Sequence, residues 1–172
     1  FPQLINLGIF KNINDYSKDI IIKKDFIFLI SLMIIDNTDN SDYFIYKFNL
    51  SNEDKKKIKF LSNVYSKKLD KNFFKEKNLW KIFYYNGKDY LFDLIDFKIF
   101  QNKKLDKNLI NLKNFFYNQE IPKLDVKAKT LIDRFNYKEG RELGIKLKEI
   151  EEFWIENSFK ISDKEINKII NN

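Results

Sequence analysis

Apolar residues recur along this chain at spacings of three and four, and rarely alternate at two. Leu143, Leu147, Ile150 and Trp154 make one such stripe, the mark of a helix with one buried face. From Tyr16 to Ile35 the apolar positions Ile20, Phe26, Ile30, Met33 and Ile34 predict a single buried helix. Tyr43 to Leu50 alternates enough for a strand, but its isolation favours a short helix. A basic helix is expected through Ile58, Leu61, Tyr65 and Leu69, with Ser51 as N-cap and Asp54 in the first turn, where acids are favoured. Further stripes run through Phe73–Tyr84, Tyr90–Phe100, Leu109–Phe116, Leu131–Phe135 and Ile166–Ile170. Leu4, Leu7 and Phe10 suit a short helix at the start. Asp15, Asp106 and either Ser162 or Asp163 are placed to cap helices, and Asn86-Gly87 to end one. The expected fold is all-α, an array or bundle of about eight to nine short helices. Residues 1–172 read as one helical region, and Pro122 breaks the series of helices.

Composition narrows the chemistry. The 172 residues contain no cysteine and no histidine, so disulfides, thiolate metal sites and the Ser-His and Cys-His nucleophile schemes are all excluded. No apolar run is long enough to span a bilayer, and no basic segment leads into an apolar one at the start, so no signal peptide is read. A cytoplasmic setting without membrane contact is expected. The chain opens on Phe1 rather than Met, so a longer parent polypeptide is expected.

The net charge is +7, which suits a polyanionic partner. Its placement says more than its size. Residues 1–50 carry −1, 51–104 carry +7 and 105–172 carry +1. Lysine, asparagine, isoleucine and phenylalanine all use A/T-rich codons, so the total alone is weak support.

Three groups of residues qualify as sites. The first is the clusters Lys55-Lys56-Lys57-Ile58-Lys59 and Lys67-Lys68-Leu69-Asp70-Lys71. Here Lys56, Lys59 and Lys67 project away from the apolar stripe and would either follow an RNA backbone or form a plain solvated face. The second is Lys127, Lys129, Arg134, Lys138, Gly140 and Arg141, which includes both arginines of the chain. Arg141 beside Gly140 at a helix start would hold a phosphate; the favoured alternative is that Gly140 and Gly144 allow close helix packing. The third is Asp93 and Asp96, one turn apart on a helix with no Gly-rich phosphate loop, read as a solvated face. Asp36, Asp39 and Asp42 lack the alternate spacing and central glycine of a calcium loop. No metal site is expected.

The run Gly140-Arg141-Glu142-Leu143-Gly144, followed by Leu147, Trp154, Ile155 and Phe159, resembles the C-terminal end of bacterial class II tRNA nucleotidyltransferases, the CCA-adding enzymes and their poly(A) polymerase relatives. Those end on Gly-x-Glu-Leu-Gly, a Leu-rich helix, a Trp-Ile pair and a Phe. Pro122, Leu50-Ser51-Asn52 and Asn86-Gly87 fall in the order of that family's helical body and tail. Ala128-Lys129-Thr130 stands where the family has Gly-Lys-Asp, and Phe135 where it has a further Gly.

The resemblance implies that 1–119 is body-like and 120–172 tail-like, with the catalytic head outside this chain. The Asp-x-Asp pair and Gly-Ser turn that hold Mg²⁺ and triphosphate in such heads are missing here. No catalytic residue is therefore assigned, and this chain alone is expected to be inactive. Mg²⁺, ATP and CTP would belong to the head, with tRNA and that head as partners. The piece would anchor the tRNA acceptor arm and elbow for CCA addition. From Glu142 to Glu156 five acids face only Lys146 and Lys148, so the long helix itself is expected to pack rather than to grip RNA. The alternative is a helical protein-interaction scaffold with no RNA role.

Overall fold

The computed structural model describes residues 3–11, 13–66, 73–102 and 104–171; helices make up 71% of these, and no strand occurs among them. Lys67 and the rest of its cluster lie outside them. The fold is all-α, with ten α-helices among the described residues rather than eight to nine. They are α1 (Asp15–Lys23), α2 (Phe26–Ile34), α3 (Asn40–Lys47), α4 (Asn52–Ser66), α5 (Glu76–Asn86), α6 (Lys88–Gln101), α7 (Lys107–Tyr117), α8 (Ala128–Phe135), α9 (Arg141–Glu156) and α10 (Asp163–Asn171). One cause of the larger number is that the apolar run from Tyr16 to Ile35 is two helices. The break falls at Lys24-Asp25, where the Asp25 carboxylate accepts the Phe28 N–H at 2.8 Å and so starts α2. Apolar periodicity carries across this break, which hides it in the sequence.

The chain divides into two compact units, Phe1–Gln119 and Glu120–Asn172. In the first, α6 is the central element, touching α1, α2, α4, α5 and α7. Leu91, Leu94, Ile95, Phe97, Ile99 and Phe100 are all buried, as a helix enclosed on every side requires. α2 packs on it, and the Phe28 ring meets Phe100 edge-on with centroids 6.2 Å apart. The end of α2 is tied by the Asn40 side-chain amide, which donates to the Ile34 carbonyl at 2.8 Å.

Caps fix the helix starts. Ser51 Oγ accepts the Asp54 N–H at 3.1 Å and donates to the Asp54 carboxylate at 2.7 Å, a reciprocal cap. Asp106 caps α7 through the Asn108 N–H. Asn14, one residue before the expected Asp15, caps α1. Gly87 ends α5 and starts α6 with φ 86° and ψ 177°, a conformation reserved in practice for glycine.

In the second unit Leu131, Leu143, Ile150, Ile166 and Ile170 form the core, with Leu147 half-buried against it. The end of α9 is a Schellman turn. The Phe159 N–H donates to the Trp154 carbonyl at 2.8 Å and the Ser158 N–H to the Ile155 carbonyl at 3.3 Å. The apolar contact that accompanies this motif is the edge-on meeting of the Trp154 and Phe159 rings, centroids 4.9 Å apart. At the start of α10, Ser162 Oγ accepts the Glu165 N–H at 3.4 Å and the Glu165 carboxylate accepts the Ser162 N–H at 2.7 Å.

The two glycines of α9 differ from the packing expected of them. A side chain built at either would meet nothing within 4 Å, so neither admits a close neighbour. Gly140 is required by its backbone, at φ 154° and ψ −169°; Gly144 has helical neighbours and open space. Gly144→Ala is therefore expected to stabilise the protein by about 1 kcal/mol. Gly140→Ala is expected to destabilise it by about 1–3 kcal/mol. Thermal melts of the two variants check the opposite signs.

Candidate nucleic-acid interface

α4 carries Lys55, Lys56, Lys57 and Lys59 beside Glu53 and Asp54, and it packs against α3. Burial of Ile58, Leu61 and Val64 fixes the inner face of α4, which leaves Lys56 and Lys59 exposed and Lys55 half-buried on the outer side. On α3, Ser41, Phe44 and Ile45 are buried. That turns Tyr43, Tyr46 and Lys47 outward, and Tyr46 is 88% exposed. Between the helices lies a groove of about 610 Å³ lined by Asp42, Ile45, Tyr46, Lys47, Asn49, Lys55 and Lys59. Lys59 was singled out in the sequence; Tyr46 and Lys47 were not. The signal for them was present. Once Phe44 and Ile45 are assigned to the core, residues 43, 46 and 47 must face away from it.

The acids of α6 are engaged with other lysines than those of α4. Asp93 and Asp96, read as a solvated face, are buried, 9% and 0% exposed. The physical reason is the position of α6, which is surrounded and has no outer face. Lys24 Nζ lies 2.6 Å from Asp93 Oδ1 and 2.9 Å from Asp96 Oδ2, and Lys113 Nζ lies 2.6 Å from Asp96 Oδ1. Lys24 also sits 4.9 Å from the centre of the Phe28 ring, a cation–π distance. Lys57, alone among the lysines of its cluster, reaches inward to Asp25 at 2.7 Å. Lys55, Lys56 and Lys59 have no carboxylate partner among the described residues.

Burial raises the Asp93 carboxyl above its ordinary value, against the pull of Lys24. Burial would lower Lys24, but Asp93 and Asp96 outweigh it and raise the ammonium above its ordinary 10.5. Burial, helped by Asp96, likewise raises Tyr16 above its ordinary 10.0. Both groups hold their proton more tightly folded than unfolded. Their contribution is complete below the unfolded values and is lost as pH rises through the folded ones. Stability is therefore expected to fall as pH passes 10.0 and then 10.5. A melting temperature that stays flat across this alkaline window would contradict the assignment. Asp25 behaves oppositely. Burial would raise it, but hydrogen bonds from Lys57 and the Phe28 N–H hold it below the carboxylate range, so its contribution is lost in acid.

In the second unit Lys127, Lys129, Arg134, Lys138, Gly140 and Arg141 are all exposed. Lys127 precedes α8, with its N–H donating to Thr130 Oγ1 at 3.4 Å, and Arg141 is the first residue of α9. Arg134 is paired with Asp163 at 3.3 Å. It borders a cavity of about 600 Å³ together with Lys123, Lys160 and Asp125. The unit as a whole has 11 basic and 11 acidic residues, whereas the first unit has 21 lysines against 14 acids. All of the net charge therefore belongs to the first unit.

A larger cavity of the first unit, about 1000 Å³, is lined by Asn6, Asn14, Lys11 and Gln101 among others. Two of its amides are committed to the fold: Asn6 donates to the Ile35 carbonyl and Asn14 caps α1. Among the described residues no group of carboxylates is placed to hold a metal ion, and no helix is long and apolar enough to cross a membrane. Comparison with protein-family models, with curated proteins and with solved structures found no significant match.

Proposed function

We propose that this chain is an RNA-holding helical region of the tRNA nucleotidyltransferase kind, with tRNA as its ligand. The observation that carries the reading is the set of unpaired lysines Lys55, Lys56 and Lys59 on α4, displayed in a unit with a net charge of +7. Unpaired surface ammonium groups at helical spacing contact successive phosphates, release counterions and bind without reading sequence. The family is proposed on the resemblance of the run from Gly140 to Phe159. In this reading the chain does no chemistry, and Mg²⁺, ATP and CTP act in a head outside it. The role here is positioning: holding the acceptor arm and elbow fixes where the 3′ end lies. A cytoplasmic setting belongs to the same proposal.

Lys127, Lys129, Lys138 and Arg141 would add phosphate contacts from the second unit, with Arg134 in reserve while it is held by Asp163. The test is binding of deacylated tRNA to the full chain at low salt. Saturable binding supports the reading, and no binding there would sink it. The rival, a protein-interaction scaffold, is favoured by one observation, the exposure of Ile22 and Phe26 near the α1–α2 break. It predicts that tRNA is ignored.

A further inference from the structure

We infer that the α3–α4 groove takes an unpaired nucleotide of its RNA, with Tyr46 as the surface on which the base stacks. The inference rests on the RNA-holding reading and specifies which part of an RNA this groove accepts.

Three features of the groove converge. Tyr46 is 88% exposed, so its ring is accessible to a base. Lysines stand around it: Lys47 follows it on α3, and Lys55 and Lys59, one turn apart on α4, line the groove with it. Among the described residues the only acid there is Asp42, so the lining carries three positive charges against one negative. Phosphate-seeking ammonium groups around an exposed aromatic are what single-strand binding requires, because every base has a π-face and every nucleotide a phosphate. Duplex RNA offers no such face: its bases are stacked on each other, and its deep groove admits no side chain.

The second ring of α3 supports the same geometry. Tyr43 lies one turn before Tyr46 and is 51% exposed. Lys47 Nζ sits 5.9 Å from the Tyr43 ring centre and 5.7 Å from that of Phe48. The exposed Lys47 cation thus lies within cation–π reach of two rings. Ile45 forms the apolar floor, which suits the flat face of a base better than a phosphate.

The experiment compares binding of the full chain to an unstructured RNA and to a blunt RNA duplex of equal length, at one low salt concentration. Wild type should prefer the unstructured RNA. Tyr46→Ala should weaken that complex by about tenfold, the stacking of one base, and leave the duplex complex unchanged. Tyr46→Phe keeps the ring and should restore wild-type binding. Because the side chain is almost wholly exposed, folding is not at stake, and helical circular dichroism should be the same in all three proteins. Wild-type binding that is salt-dependent but indifferent to Tyr46→Ala would overturn the stacking inference while leaving the RNA-holding reading intact. Equal weakening on both RNAs would also overturn it. A wild-type protein that binds neither RNA would overturn both.

Discussion

Lys24→Met should destabilise the protein by about 3–5 kcal/mol, because removing one partner of a buried ion pair leaves the other charge uncompensated. Among the described residues, Lys24 is the sole one whose ammonium bonds Asp93, at 2.6 Å, and one of two that bond Asp96. In the variant Asp96 keeps Lys113, but Asp93 is left inside the fold with no cation in contact. Methionine retains most of the stem, so little of the loss is packing. A second substitution identifies the cause. Lys24→Met with Asp93→Leu removes the stranded charge and should recover more than half of the loss, since replacing a whole buried pair by apolar groups is often close to neutral. Acid supplies an independent sign. Protonation relieves a stranded Asp93, so the deficit of the single variant should shrink as pH falls. Urea titrations give all three quantities. A loss of less than about 1 kcal/mol, the size of a surface pair, would show that the cluster is not holding the α1–α2 junction to α6.

The second large effect concerns binding. Lys55→Gln, Lys56→Gln and Lys59→Gln together should weaken tRNA binding by about 100-fold at roughly 0.1 M salt, as three lost phosphate contacts imply. Glutamine and lysine have nearly equal helix propensity, and none of the three lysines has a carboxylate partner among the described residues. Helicity should therefore be unchanged. The matched control is Lys57→Gln, whose ammonium is engaged with Asp25; it should affect stability and leave tRNA affinity within about twofold, having removed no phosphate contact. If the control weakens binding as much as the triple variant, total charge rather than the unpaired set governs the interaction.

Much of the helical scaffold was legible in the sequence because it is written in local signals. Ser51, Asp106 and Ser162 cap the helices they precede, and Gly87 takes a conformation that only glycine adopts readily. What was not legible depends on neighbours that are distant in sequence. Asp93 and Asp96 look like a wet face until α1, α2, α4, α5 and α7 are seen to surround α6. Their partners Lys24 and Lys113 are 69 and 17 residues away, beyond any spacing rule. Gly144 suggested a close helix crossing, but only three-dimensional placement reveals open space beside it. Tyr46 was not singled out, although burial of its neighbours Phe44 and Ile45 on the inner face of α3 turns it outward. The Trp154–Phe159 pair has a local physical basis: it closes the Schellman turn of α9 and needs no ligand to explain it.

The central claim is that unpaired lysines of α4 hold RNA through its phosphates. Its most direct test is the slope of log affinity for tRNA against log salt concentration, in wild type and in the triple glutamine variant. Each phosphate contact contributes about 0.7–0.9 to that slope, so the account predicts a steep wild-type line and a variant line shallower by about 2–3. Parallel lines, or a wild-type affinity indifferent to salt, would contradict it.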